Sequence, residues 1–471
     1  MQNRLSLFYM LTGLLALPTV TMADANIRAS APEAHEYTVQ VRESLDALDV
    51  RAQFSHPVTA VKLDDAGARR HVRALRHCDS DRSLPFIRGS IDAAVFCIEY
   101  TVRLKNIRGR AYGSSRYSHI KDRITTPGQW MLLPASSRDN IQVNFTTPPG
   151  INVSVPWKNI DGDRFEYGRY SLSADAITAF GRFEKIIIPV SGGELRVSIL
   201  RTEYESQEEK ITHWLKAAAE NVTRVHGSFP LKSTQVVVIP VNGRSNEAVP
   251  FGRVIRDGGE AVQFFVNTRR PLDEFTGDWT ATHEFSHLLF PYVEDRWVSE
   301  GLASYYQNVL MARGKEYTPR RAWQKLYEGF ERGKRSAPGM SPHSATFGNG
   351  GLMKVYWSGA VLALIADVKL RELSDGRESL DTVVRQLRYC CLPSRKIYSD
   401  RDFFIELDRH TEHKIFKKLY DEYAHSAGFP NWQRVFSTLG IAVSGARVKL
   451  VEADGKAIRD AIMQGPATPS G

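Results

Sequence analysis

Between about residues 36 and 200, apolar and polar residues alternate. Tyr37, Val39 and Val41 keep the rhythm, as do Leu48, Val50, Ala52 and Phe54, and then Ile98, Tyr100, Val102 and Leu104. Ile141, Val143 and Phe145 repeat it, followed by Ile151, Val153 and Val155. Gly, Pro, Asn, Asp and Ser separate the runs. A period of two with frequent turn residues predicts antiparallel strands, and so many of them predict a sandwich. No catalytic cluster stands out here, so this half reads as a structural or substrate-shaping module.

Near residue 204 the period changes. Ile211, Trp214, Leu215, Ala218, Val222 and Val225 fall on one helical face, and Gly227 supplies a stop. Val236–Ile239 and Ala261–Val266 are short apolar runs suited to buried strands. Helical patterns then dominate from about 273 to 430, broken by a Gly/Ser/Pro-rich loop at 333–351. The expected class is α+β: an N-terminal antiparallel β-sandwich module over 24–203, then a domain over 204–445 with a small mixed sheet and a helical lobe. Residues 446–471 are expected to be a tail, frayed from 460 onward. No internal repeat is evident.

Composition narrows the class. The chain has 471 residues, 42% hydrophobic and 24% charged, which excludes a disordered chain, a collagen and a polytopic membrane protein. The net charge of +9 is spread thinly, so no nucleic-acid partner is expected. Residues 1–23 place Arg4 before an apolar stretch from Leu5 to Val20, with the small residues Thr21 and Ala23 after it. That order is a secretory signal peptide, and predicts a periplasmic or secreted protein with no membrane span after its removal. Export permits disulfides. Cys78 and Cys97 lie in one β region and are able to pair; the adjacent Cys390 and Cys391 form a vicinal bridge or stay reduced. Four cysteines allow three full pairings, and sequence does not choose among them. No C-x-x-C spacing appears, so no thiolate zinc site is expected.

The chemistry is concentrated at His283-Glu284-Phe285-Ser286-His287, an H-E-x-x-H sequence. On a helix, positions i and i+4 share a face, so both imidazoles reach one cation. Zinc accepts neutral imidazole and leaves one position open for water at a catalytic site. Glu284 then stands where it reaches that water without binding metal, as a general base. A third ligand is required, and Asp295, Glu300 and, less favourably, Glu294 are the nearby carboxylates. Glu300 lies in Trp297-Val298-Ser299-Glu300-Gly301, at the start of a second predicted helix.

These residues resemble the glycyl aminopeptidase family of gluzincin zinc metallopeptidases. HEFSH followed by RWVSEGLASYY matches the group's H-E-x-x-H and downstream W-x-x-E-G setting. Val355-Tyr356-Trp357-Ser358-Gly359-Ala360 looks like the family's Y-x-K/S-G-A helix, and similarity continues through 378–387 and 401–443. The resemblance implies one Zn²⁺ per chain held by His283, His287 and Glu300, with Glu284 as base and Tyr356 as the phenol facing the transition state. It implies peptide or protein substrates, aminopeptidase action first and endopeptidase action close behind; a peptide-binding envelope protein without turnover is the reading from another class. Three departures stand out. The twelve residues between His287 and Glu300 are fewer than in many gluzincins. The segment that holds the substrate amine in the family is altered here to Gly258-Gly259-Glu260, with Glu260 expected to partner a free amine if it faces the cleft. Many relatives also carry a PDZ module, for which residues 432–471 are too few.

Overall fold

The computed structural model describes residues 34–465 except 79, 81, 92, 105–119, 136–139, 169–175, 242–246 and 257–258. The predicted leader, 1–23, lies outside the described residues. The alternating runs become strands with alternating burial: Tyr37, Val39, Val50, Ala52, Tyr100 and Val143 are inside. They build a seven-stranded sheet in the order Lys158–Asp161, Arg164–Tyr167, Ile141–Thr146, His35–Val41, Ala47–Val58, Val95–Arg103, Val72–His77. All its neighbours are antiparallel except His35–Val41 with Ile141–Thr146, which run parallel. Two three-stranded sheets close over its inner face, and Trp130, Val153 and Phe180 share its core. The Cys78–Cys97 disulfide is formed in this module.

A second, mixed sheet of five strands follows, ordered Glu184–Val190, Gly193–Ile199, Ser233–Pro240, Ala261–Val266, Phe251–Ile255. The inner pairings are parallel and the outer ones antiparallel. Its first two strands come from the segment expected to belong to the sandwich module. Alternation identifies a strand but not its partner, and the backbone of Gly193–Ile199 pairs with Ser233–Pro240. Helix Glu208–His226 covers one face with Ile211, Trp214, Leu215, Val222 and Val225, and ends at Gly227, whose φ of 79° needs no side chain. The other face, Val237, Ile239 and Phe265, packs on Ile177, Ala179 and Phe183. The buried Asp122 carboxylate locks the two sheets in place by accepting backbone N–H groups from Arg182 (3.0 Å) and Arg201 (2.6 Å).

The helical lobe is organised around two long helices, Arg296–Arg313 and Leu352–Leu373. They meet where neither has a side chain. A carbon added to Gly301 would sit 2.8 Å from the Ala360 nitrogen, and one added to Gly359 would strike the Trp297 carbonyl. Buried ion pairs fix the rest: Arg371 with Asp367 (3.0 Å), and Arg313 with Asp381 of helix Leu380–Cys390 (2.8 Å). The expected tail is instead structured to residue 465. Strands Ile441–Ser444 and Arg447–Leu450 form a hairpin, and helix Lys456–Gln464 buries Ile462 and Met463. The Ile462 carbonyl accepts the Arg313 Nε–H at 3.0 Å, so this end is anchored by a buried cation. Among the described residues, no helix is long and apolar enough to cross a membrane.

Gly359→Ala is expected to cost about 1–3 kcal/mol through overpacking, lowering the thermal midpoint in calorimetry. Gly277→Ala, where an added carbon meets nothing within 4 Å, is expected to leave it nearly unchanged.

Candidate metal centre

The H-E-x-x-H segment forms helix Thr280–Ser286, extended by a 3₁₀ turn at His287–Leu289 before Pro291. Asp278 caps it, accepting the Thr280 N–H at 2.7 Å. Both imidazoles project from one face with ring centroids 4.9 Å apart, and His283, Glu284 and His287 are all buried. Glu300 enters from the second turn of the next helix, Arg296–Arg313. Its Oε2 lies 3.2 Å from His283 Nε2 and 3.4 Å from His287 Nε2. Asp295 is used elsewhere, accepting the Asp400 N–H at 2.8 Å, and Glu294 stays exposed. The short twelve-residue connection therefore closes with Glu300 as the third donor.

The spacing fits a small divalent ion. Tetrahedral zinc with bonds of about 2.0–2.1 Å places its ligand atoms about 3.3 Å apart. The two His–Glu separations match that edge, and all three donor atoms lie within 4.8 Å of one another. Two neutral imidazoles and one carboxylate are also a donor set suited to catalytic zinc. Burial opposes ionisation of Glu300, yet His283 and His287 hold its carboxyl well below the usual carboxylate range. Glu284 behaves oppositely. Burial pushes its carboxyl up to about 7, although the His283 imidazole and the Val254 N–H favour the ionised form.

Sequence reasoning missed several supporting residues. Gln307 stands two turns after Glu300, on the same helix face, and its Oε1 lies 2.7 Å from His283 Nδ1. Assigning the Nδ1 proton to this bond leaves the Nε2 lone pair pointing at the ion site. Gly252 lies in the sheet's edge strand, Phe251–Ile255. A side chain there would sit 2.8 Å from both Glu284 Cγ and Thr280 Cγ2, so glycine lets the strand approach the motif helix. Arg256 donates from Nη2 to the His287 carbonyl and from Nη1 to Ser394 Oγ at 3.0 Å.

Glu284, His287, Glu300 and Tyr356 share one cleft of about 460 Å³. Tyr356 sits one turn before Gly359, so the glycine contact that carries Glu300 inward also brings the phenol near. Its ring centroid is 6.0 Å from that of His283, and it stacks in parallel on Phe347 at 5.8 Å. Glu260 does not join them. Its Oε1 lies 3.6 Å from Arg256 Nη1, and Gly259 and Glu260 line a neighbouring cavity of about 780 Å³, with Arg256 and Tyr292 forming walls of both. Gly259 and Glu260 thus line the neighbouring cavity and not the cleft of the metal centre. Gly258 lies outside the described residues.

No family model matches the chain, and no curated protein matches it by sequence. Solved structures share its fold. An aminopeptidase N family protein from Idiomarina loihiensis is 15% identical with a TM-score of 0.64, over 87% of this chain and 79% of that one. A substituted M1 zinc metallopeptidase from Deinococcus radiodurans, bound to a Tyr-Ser-Ala substrate, is 12% identical with a TM-score of 0.51, over 85% of this chain and 95% of that one. The unsubstituted Deinococcus radiodurans enzyme gives the same identity, coverage and score. The α+β architecture, a β module followed by a mixed sheet and a helical lobe, is therefore that of these two-domain proteins.

Gln307→Leu is expected to weaken zinc binding by about 10–100-fold, because His283 loses the partner that orients it. Competition against a chromophoric chelator measures this; unchanged affinity would remove Gln307 from the site.

Proposed function

We propose that the chain is a zinc-dependent peptidase that hydrolyses peptide bonds in the cleft between the motif helix and the edge strand. The observation that carries this reading is the convergence of His283, His287 and Glu300 at tetrahedral spacing beside the buried Glu284. Bound there, zinc would supply Lewis acidity, making a water a nucleophile near neutral pH and polarising the scissile carbonyl. Glu284 takes the proton of the attacking water and passes it to the leaving amine. Buried beside the ligand pair but outside the ligand set, its carboxylate is placed for both transfers. Tyr356 directs its phenol O–H at the oxygen that gains charge in the tetrahedral intermediate, a contribution of about 3 kcal/mol for one donor of this kind. Phe251–Ile255 lies at the edge of its sheet and offers main-chain groups to an extended substrate.

Aminopeptidase action has the support of the fold shared with the aminopeptidase N family protein and the M1 metallopeptidase. Endopeptidase action is the second reading, favoured by the position of Glu260, which leaves a free amine without the partner expected for it. A buried general base argues against a binding protein without turnover. The leader-like segment at 1–23 supports a periplasmic or secreted location, with peptides or proteins as partners.

Digestion of a mixed peptide library, read by mass spectrometry with and without chelator, tests the proposal. Cleavage is expected to disappear with chelator and to fall by about 10²–10⁴-fold in Glu284→Gln, which keeps its zinc. Loss of single N-terminal residues identifies the aminopeptidase, and internal cuts the endopeptidase. Undiminished cleavage by Glu284→Gln would contradict the mechanism.

A further inference from the structure

A second cluster of metal-binding side chains lies away from the cleft. Cys390 closes helix Leu380–Cys390, and Cys391 follows it, disulfide-bonded to its neighbour. Facing them are Glu406, on helix Asp400–Asp408, and His410, four residues further on. One donor atom from each of the four residues lies within 4.8 Å of every other. We propose that these residues form a redox-gated site for a thiophilic divalent cation, closed while the cysteines are bridged and open once they are reduced.

Distances across the cluster carry the proposal. Tetrahedral zinc with bonds of about 2.3 Å to sulfur and about 2.0–2.1 Å to nitrogen and oxygen has S···N edges near 3.6 Å and N···O edges near 3.3 Å. Cys390 Sγ lies 3.6 Å from His410 Nε2, and His410 Nε2 lies 3.4 Å from Glu406 Oε1. The remaining edge, sulfur to sulfur, needs about 3.8 Å in the same geometry. A covalent S–S bond cannot supply it, and two free thiolates can. The surroundings favour a cation. Glu406 is 8% exposed, so its carboxylate needs a positive partner; the present one, Arg409 at 2.7 Å, has a side chain 65% exposed that is able to swing into solvent. Tyr398 donates its O–H to Cys391 Sγ at 3.5 Å, an outer contact that orients a sulfur ligand. Two sulfurs, one imidazole and one carboxylate suit zinc, cadmium or cobalt better than calcium or magnesium.

The gating step balances simply. A dithiol reductant gives two electrons and two hydrogens; the Cys390–Cys391 S–S bond breaks, two thiols form, and the reductant leaves as its own disulfide. Metal binding then releases the two thiol protons. The absence of C-x-x-C spacing argues only against a site built from one local segment. Here the cysteines are adjacent, and the other two donors come from a different helix.

The full chain, oxidised or reduced with tris(carboxyethyl)phosphine and then desalted, is titrated with cobalt(II) and followed by absorption. Thiolate-to-cobalt charge-transfer bands do not arise from the centre at His283, His287 and Glu300, which contains no sulfur. Every titration is made in a Cys78→Ser/Cys97→Ser background, so that the second disulfide, which the reductant also opens, contributes none. The bands are expected in the reduced chain, absent in the oxidised chain and absent in reduced Cys390→Ser/Cys391→Ser. Reduced His410→Ala is expected to bind the reporting cobalt at least roughly tenfold more weakly. No band in the reduced chain, a band that survives the double substitution, or unchanged affinity in His410→Ala would each overturn the proposal.

Discussion

The close approach of two helices at Gly301 and Gly359 is the constraint on which the site rests. Backbone meets backbone there, and a single methyl group on either residue would force the helices apart. Glu300 immediately precedes one glycine, and Tyr356 stands one turn before the other. The same contact therefore delivers a carboxylate to the imidazole pair and a phenol to the cleft wall. Gly252 performs a related service on the opposite wall, letting the edge strand settle against Glu284. Small residues at these points fix distances that chemistry requires.

Electrostatics follow from that packing. Four ionisable groups, His283, Glu284, His287 and Glu300, share a small and mostly buried volume. Such a cluster is costly unless a cation compensates it. The two carboxylates then divide their roles by environment. Glu300, between two imidazoles, stays ionised; Glu284, deprived of water, is pushed up to about 7. On the proposed reading Glu300 is the ligand and Glu284 the base. Around them, Gln307 holds His283 from the side and Arg256 holds the His287 carbonyl, so the imidazoles are fixed before any metal arrives.

Much of this was legible from the chain alone, and the exceptions share a cause. Period-two alternation and the apolar stripe of Ile211 to Val225 report local burial, so the strands and the covering helix follow directly. The two histidines and Glu284 are set by helical spacing, which is also local. What fails is partnership. Strands Glu184–Val190 and Gly193–Ile199 fall in the region assigned to the sandwich module but pair with the second sheet. Glu260 has a suitable distance in sequence from His283, yet it pairs with Arg256 and lines the neighbouring cavity. Lys456–Gln464 reads as part of a tail, frayed from 460, because its anchor, Arg313, lies far away in sequence. Gln307 alone left a local sign, its two-turn spacing from Glu300.

The most direct measurement is X-ray absorption at the zinc edge of the oxidised full chain loaded with one equivalent of zinc. The expected spectrum shows nitrogen and oxygen ligands at about 2.0–2.1 Å, with outer scattering from two imidazole rings and no sulfur. Glu300→Ala is expected to keep both imidazole signals and lose one carboxylate neighbour. A spectrum with fewer than two imidazoles, or one that Glu300→Ala leaves unaltered, would contradict a centre built from these three side chains.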